Sequence, residues 1–193
     1  MTTKLALFAS GNGSNVQQIT EHFLSHPQSG VTVDCVIYNR KDAFVTERAK
    51  ALGLPSYYMN KEDFKDSSKT LDLLKQREID YIILAGFLLL VPQYLIQAYP
   101  ERIINIHPAL LPKFGSKGMY GLHVHEAVIA GGEQKTGITI HLVDEKFDNG
   151  RILFQSECPV SPTDTAETVA ERVHLLEKAC YPAIIENFIN SQR

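Results

Sequence analysis

The chain has 193 residues, 44% hydrophobic and 21% charged, which is enough for one domain with a sizeable core and too little for a second full one. Its net charge of −3 lacks the basic excess or stripe expected of a nucleic-acid binder. The longest apolar run, residues 81–91, is too short to span a bilayer, and residues 1–9 have too brief an apolar core for a signal peptide.

From the N-terminus, residues 4–9 predict a short apolar strand, broken by Gly11-Asn12-Gly13-Ser14-Asn15. Val16, Ile19 and Phe23 then recur at helical spacing over residues 16–26. Residues 31–38 are β-branched and predict a strand; residues 43–52 suit a helix stopped by Gly53. A short strand at 54–59 and a helix at 68–77 follow. Residues 79–85 are apolar nearly without alternation, as in a strand covered on both faces. A short helix at 92–99 starts on a proline, and residues 103–106 form the next strand. Strands separated by helices imply βαβ units and a mainly parallel sheet. The second half differs. Residues 113–121 hold three glycines and read as a mobile loop; a short helix covers 123–130. Strands at 136–143 and 151–160 are joined by a turn containing Asp148-Asn149-Gly150, a hairpin-like antiparallel addition. Residues 163–190 form a long helix with an apolar stripe at Val169, Val173, Leu176, Cys180, Ile184 and Phe188, which Pro182 should kink or divide.

The chemistry concentrates in Asn105-Ile106-His107-Pro108. On an extended backbone Asn105 and His107 point the same way, and Pro108 biases His107 toward that geometry. One amide donor and one titratable ring in the same space can hold an oxyanion and move a proton. Gly11 to Asn15 lies between a first strand and a first helix, where free N–H groups receive an anion; Ser14 and Asn15 can cap the helix and also donate to a phosphate. The loop is not Walker A, and Val16 replaces the third glycine of the dinucleotide fingerprint, so a single phosphate fits better than a pyrophosphate. Thr139, His141 and Val143 share one face of their strand, with His141 either facing the polar site or packed beneath it, the second being preferred. Asp148 either pairs with His107 or belongs to an ordinary turn. His174 and Glu177 lie one helical turn apart, as site groups or as a solvated helix surface. His123 and His125 lack a nearby third ligand, which argues against a metal. Cys35, Cys158 and Cys180 are widely spaced and suit reduced thiols in a cytoplasm.

Taken together, Gly11-Asn12-Gly13-Ser14-Asn15, Leu84-Ala85-Gly86-Phe87, Asn105-Ile106-His107-Pro108 with Leu110-Leu111-Pro112, Gly137-x-Thr139-x-His141, and Asp148 with Gly150 resemble the phosphoribosylglycinamide formyltransferases, folate-dependent enzymes of purine synthesis. The likeness runs from the first strand to the last helix. It implies a Rossmann-like, mainly parallel sheet with helices on both faces and sites at the carboxyl ends of the strands. It implies that 10-formyltetrahydrofolate, as co-substrate, donates its formyl group to the amine of N1-(5-phospho-D-ribosyl)glycinamide, without a metal. Asn105, His107 and Asp148 would be catalytic, with Asp148 raising the His107 pKa and holding it protonated. Gly13, Ser14, Asn15, His174 and Glu177 would bind the ribonucleotide. Leu88, Leu89, Leu90, Val91, Asn105, Asp144, Glu145, Lys146, Phe147 and Asp148 would bind the folate. Partners would be small molecules, with neither nucleic acid nor membrane, and the chain a monomer or weak homodimer. Three features depart from the family: the loop at 113–121 is longer than the short form, Leu88-Leu89 stands where relatives often carry Met-Arg, and His174 replaces a common glutamine. The longer loop is expected to close over the ribonucleotide as a lid, with Lys113 and Lys117 bringing positive charge to the phosphate. A formyltetrahydrofolate hydrolase shares the catalytic motif but carries an extra N-terminal domain, and a methionyl-tRNA formyltransferase an extra C-terminal one. A non-catalytic nucleotide-binding module would need no such trio.

Overall fold

The computed structural model describes residues 2–116, 118–146 and 148–193. Seven strands, β1 (Thr3–Ala9), β2 (Val31–Tyr38), β3 (Ser56–Tyr58), β4 (Tyr81–Leu84), β5 (Ile103–His107), β6 (Lys135–Leu142) and β7 (Ile152–Pro159), form one sheet in the order β3-β2-β1-β4-β5-β6-β7. The first five are parallel, and β6 and β7 add antiparallel to β5, as the hairpin-like reading expects. Helices α1 (Ser14–Ser25), α2 (Val45–Ala51), α3 (Ser67–Gln76), α4 (Gln93–Ala98), α5 (Leu122–Ala130) and α6 (Ala166–Ser191) complete the chain.

The alternation of side chains along each strand feeds two cores. Leu5, Leu7 and Ala9 of β1 with Tyr81 and Ile83 of β4 meet the apolar faces of α1, α2 and α6. Ala6, Phe8, Ile82 and Leu84 meet Leu74 of α3 and Leu95 of α4 on the other face. Burial on both sides explains why β4 reads as continuous apolar sequence. Among the described residues no helix is long and apolar enough to cross a membrane.

Helix α6 departs from expectation twice. It runs unbroken through Pro182, which is itself buried. The proline removes one backbone hydrogen bond, but Tyr181, Ile185, Phe188 and Ile189 seat both neighbouring turns in the core and hold the helix across the gap. The buried stripe is also displaced: Val169, Val173, Glu177, Tyr181 and Ile185 face inward, while Leu176, Cys180 and Ile184 are only partly buried. A carboxylate therefore sits within the buried stripe.

Candidate active site

After β3 the chain returns to the other side of β1 to form β4, so the loops leaving β1 and β4 diverge from adjacent strand ends. Such a switch point opens a crevice at the carboxyl edge of a parallel sheet. Here the two loops are tied together: Ser10 N–H donates to the Gly86 carbonyl at 3.0 Å, and Leu88 N–H to Ser10 Oγ at 2.9 Å. The first loop ends at Gly13, the N-cap of α1, whose φ of 79° lies in the left-handed region; a Cβ there would meet Val45 Cγ2 at 2.5 Å. Ser14 and Asn15 are thus the first helical residues and not its caps, and no side chain caps the helix. This leaves the opening N–H groups of α1 for an anion. The Asn15 amide donates instead to Glu177 Oε2 at 3.2 Å. Glu177 is buried at 8% exposure, and burial pushes its carboxyl pKa up against the opposing influence of His174 and Asn15. His174, one turn earlier, is exposed.

Beyond Ile103 and Val143 the apolar core on the α3/α4 face stops, and polar side chains take over that face. Asn105 pairs with His141 across β5 and β6, and His107 with Thr139. Asn105 Nδ2 lies 3.1 Å from His141 Nε2 and 3.5 Å from Asp148 Oδ1. His141 Nδ1 donates to the Leu142 carbonyl at 2.8 Å, so its Nε2 accepts from Asn105. His141 is 2% exposed and in direct contact with Asn105, both packed beneath the site and part of its network. His107 Nε2–H donates to the Phe114 carbonyl at 2.8 Å, and its Nδ1 stands 3.5 Å from Asp148 Oδ2. Phe114 and Asp148, the two residues flanking this ring, have φ of 57° and 51°, a backbone form that costs non-glycine residues roughly 1–3 kcal/mol. Thr139 Oγ1 accepts from Leu111 N–H and donates to the Ala109 carbonyl, fixing the segment that follows His107.

The expected direction of the His107 shift is reversed. Burial, with only 3% of the residue exposed, pushes its pKa below the usual 6.5 and outweighs Asp148, which acts upward. At 3.5 Å the carboxylate is too far for a good hydrogen bond, so its attraction does not repay desolvation of the cation. His107 is neutral near pH 7, with its proton on Nε2 and its lone pair on Nδ1.

Two further segments border this cluster. Leu88 and Leu90 are exposed, whereas Leu89 and Val91 turn into the core. Asp144 caps the 143–149 turn by accepting from Lys146 N–H and Asn149 Nδ2, and Glu145 accepts from Gln93 Nε2 at 2.9 Å, joining the turn to the segment after Val91. Gly150 closes the turn; a Cβ there would run into the Leu142 carbonyl. Phe147 and Lys117 lie outside the described residues. Lys113, expected to bring charge toward the phosphate, is paired with Glu133 at 2.8 Å. The sequence reading did not name the Phe114 carbonyl, and it weighed His125 only as a metal ligand, whereas the residue is buried and burial lowers its pKa to about 4. A carbonyl contact leaves no mark on residue identity, while the 2% exposure of His125 follows from its inward position on α5.

The switch point, the uncapped helix start and the largely buried Asn–His–Asp cluster lie at one edge of an α/β sheet, and residues 3–185 match the formyl transferase family, to which the chain belongs. Within it, the chain is similar to the chloroplastic phosphoribosylglycinamide formyltransferase of Arabidopsis thaliana, 42% identical over 94% of this chain and 64% of that protein. It is likewise 36% identical to the phosphoribosylglycinamide formyltransferase of Bacillus subtilis, over 96% of this chain and 94% of that protein. The crystal structure of the Bacillus halodurans phosphoribosylglycinamide formyltransferase superposes with a TM-score of 0.88 at 33% identity, covering 99% of this chain and 97% of that one. The chain thus spans just under two thirds of the plant relative's length and nearly all of the bacterial ones.

Proposed function

We propose that this chain transfers the formyl group of 10-formyltetrahydrofolate to the amine of N1-(5-phospho-D-ribosyl)glycinamide, a step of de novo purine synthesis. The observation that carries this reading is the buried cluster of Asn105, His107, His141 and Asp148 at the carboxyl end of β5. The bacterial and plant relatives bear the name of this activity. The phosphate is assigned to Gly13, Ser14 and Asn15, and the ribose side to Glu177 with His174. The folate is assigned to the apolar surface of Leu88 and Leu90, with the backbone of Leu89 and Val91, and to the turn carrying Asp144, Glu145, Lys146, Phe147 and Asp148. Both substrates are small molecules, met by a monomer or weak homodimer in a reducing cytoplasm, in keeping with three free cysteines.

The substrate amine attacks the formyl carbon, a C–N bond forms, and the carbonyl oxygen becomes an oxyanion. Of the two Asn105 donors, the one directed at Asp148 is held only at 3.5 Å and turns to the oxyanion. Neutral His107 takes the proton lost by the amine on Nδ1, and Asp148 Oδ2 stabilises the imidazolium. That proton passes to the folate nitrogen as its bond to the formyl carbon breaks. One proton leaves an amine and one arrives on the other, so charge and atoms balance.

Single-turnover transfer tests these roles. Asn105→Ala and His107→Ala should each slow the chemical step by roughly 100-fold or more while leaving both substrate affinities within a few-fold. Unchanged rates in either variant would remove that residue from the mechanism.

A further inference from the structure

The loop between β1 and α1 is gripped from the side by α2. Val45 N–H donates to the Gly11 carbonyl at 3.1 Å. Arg48 donates Nε–H to the Asn12 carbonyl at 2.9 Å and one terminal N–H to Asn12 Oδ1 at 2.8 Å. Its other terminal nitrogen donates to the Gln17 side-chain oxygen on α1. One planar guanidinium thus fastens both oxygens of a single loop residue and the helix that follows. Phe44, 54% exposed, lies under it with the guanidinium carbon 5.3 Å from the ring centroid. Among the described residues no carboxylate oxygen lies within 4.0 Å of Arg48, so its charge is unpaired.

A glycine-rich loop loses much conformational freedom when it is ordered, and a ligand that must order it binds more weakly. Here the ordering is done by Arg48. The contact also fixes the Asn12 amide, because only its oxygen accepts from a guanidinium.

We propose that Arg48 is a positioning residue for the ribonucleotide phosphate. It holds Asn12 and the opening turn of α1 in their binding geometry and sets an unpaired positive charge behind the anion. This rests on the reading of Gly13, Ser14 and Asn15 as the phosphate subsite. A clamp with a purely structural role would lower melting temperature and leave substrate constants alone. Lysine keeps the charge but lacks the planar fork that reaches the two Asn12 oxygens and Gln17 together.

The test is a steady-state comparison of wild type, Arg48→Gln, Arg48→Lys and Ser14→Ala, with inorganic phosphate as a competing probe. Arg48→Gln should raise KM for the ribonucleotide roughly 10-fold, about 1.4 kcal/mol, and weaken phosphate inhibition in parallel. Its kcat and KM for the folate should stay within twofold of wild type, and Arg48→Lys should fall between the two. Ribonucleotide KM unchanged in Arg48→Gln but raised in Ser14→Ala would overturn the role of Arg48 alone. Both variants unchanged would overturn the phosphate subsite and this inference with it.

Discussion

His107 shows how local balance sets chemistry. Its ring is held by one good hydrogen bond, to the Phe114 carbonyl, and faces a carboxylate across 3.5 Å. Burial favours the neutral form and Asp148 the charged one, and burial dominates. A depressed pKa keeps the base neutral through the ordinary histidine range and removes it only as pH falls below its folded value. Asp148→Asn deletes the upward influence and should move the pKa lower still, with a matching downward shift of the acidic limb of kcat. An NMR titration of His107 in both proteins checks this. A wild-type value above 6.5, or no movement in the variant, would contradict the balance described. Gly13 makes a related point: its left-handed φ and its contact with Val45 leave no room for a Cβ beside the helix start.

Helix α6 locks the site edge of the sheet. The buried Tyr181 hydroxyl lies 3.0 Å from the carbonyl of Leu84, the last residue of β4, and 3.1 Å from that of Ile104 in the adjacent β5, one residue before Asn105. Tyr181→Phe leaves the packing and removes this bridge, so urea unfolding should show a loss of roughly 1–3 kcal/mol. A change below about 0.5 kcal/mol, the level of an ordinary surface substitution, would show that the bridge holds nothing. The strands were legible in the sequence because β-branched and apolar runs leave few other options, and Asn105 and His107 stood out by their alternation on β5. The stripe of α6 was less legible. Leu176, Cys180 and Ile184 are more apolar than Glu177, yet the sheet contacts select the adjacent row, and only the fold reveals the buried acid. Pro182 misled for the same reason, since packing outweighs a single missing hydrogen bond. Ser14 and Asn15 read as caps in the sequence but open the helix instead, because a glycine N-cap carries no side-chain signal.

Across the molecule, one edge of one sheet gathers everything the proposed reaction needs. The switch between β1 and β4 places the anion-ready start of α1 beside the exposed leucines after β4. The reversal of direction at β6 supplies His141 and Thr139 to the same face as Asn105 and His107. The turn after β6 then carries Asp148 back over them. A ribonucleotide amine and a folate formyl group arriving from these two sides would meet at Asn105 and His107. The most direct test is the fate of 10-formyltetrahydrofolate mixed with the protein, with and without N1-(5-phospho-D-ribosyl)glycinamide. Formyl loss that depends on the ribonucleotide and appears as its N-formyl product is the predicted result. Formate released at a similar rate without the acceptor, or no turnover with both substrates present, would contradict it.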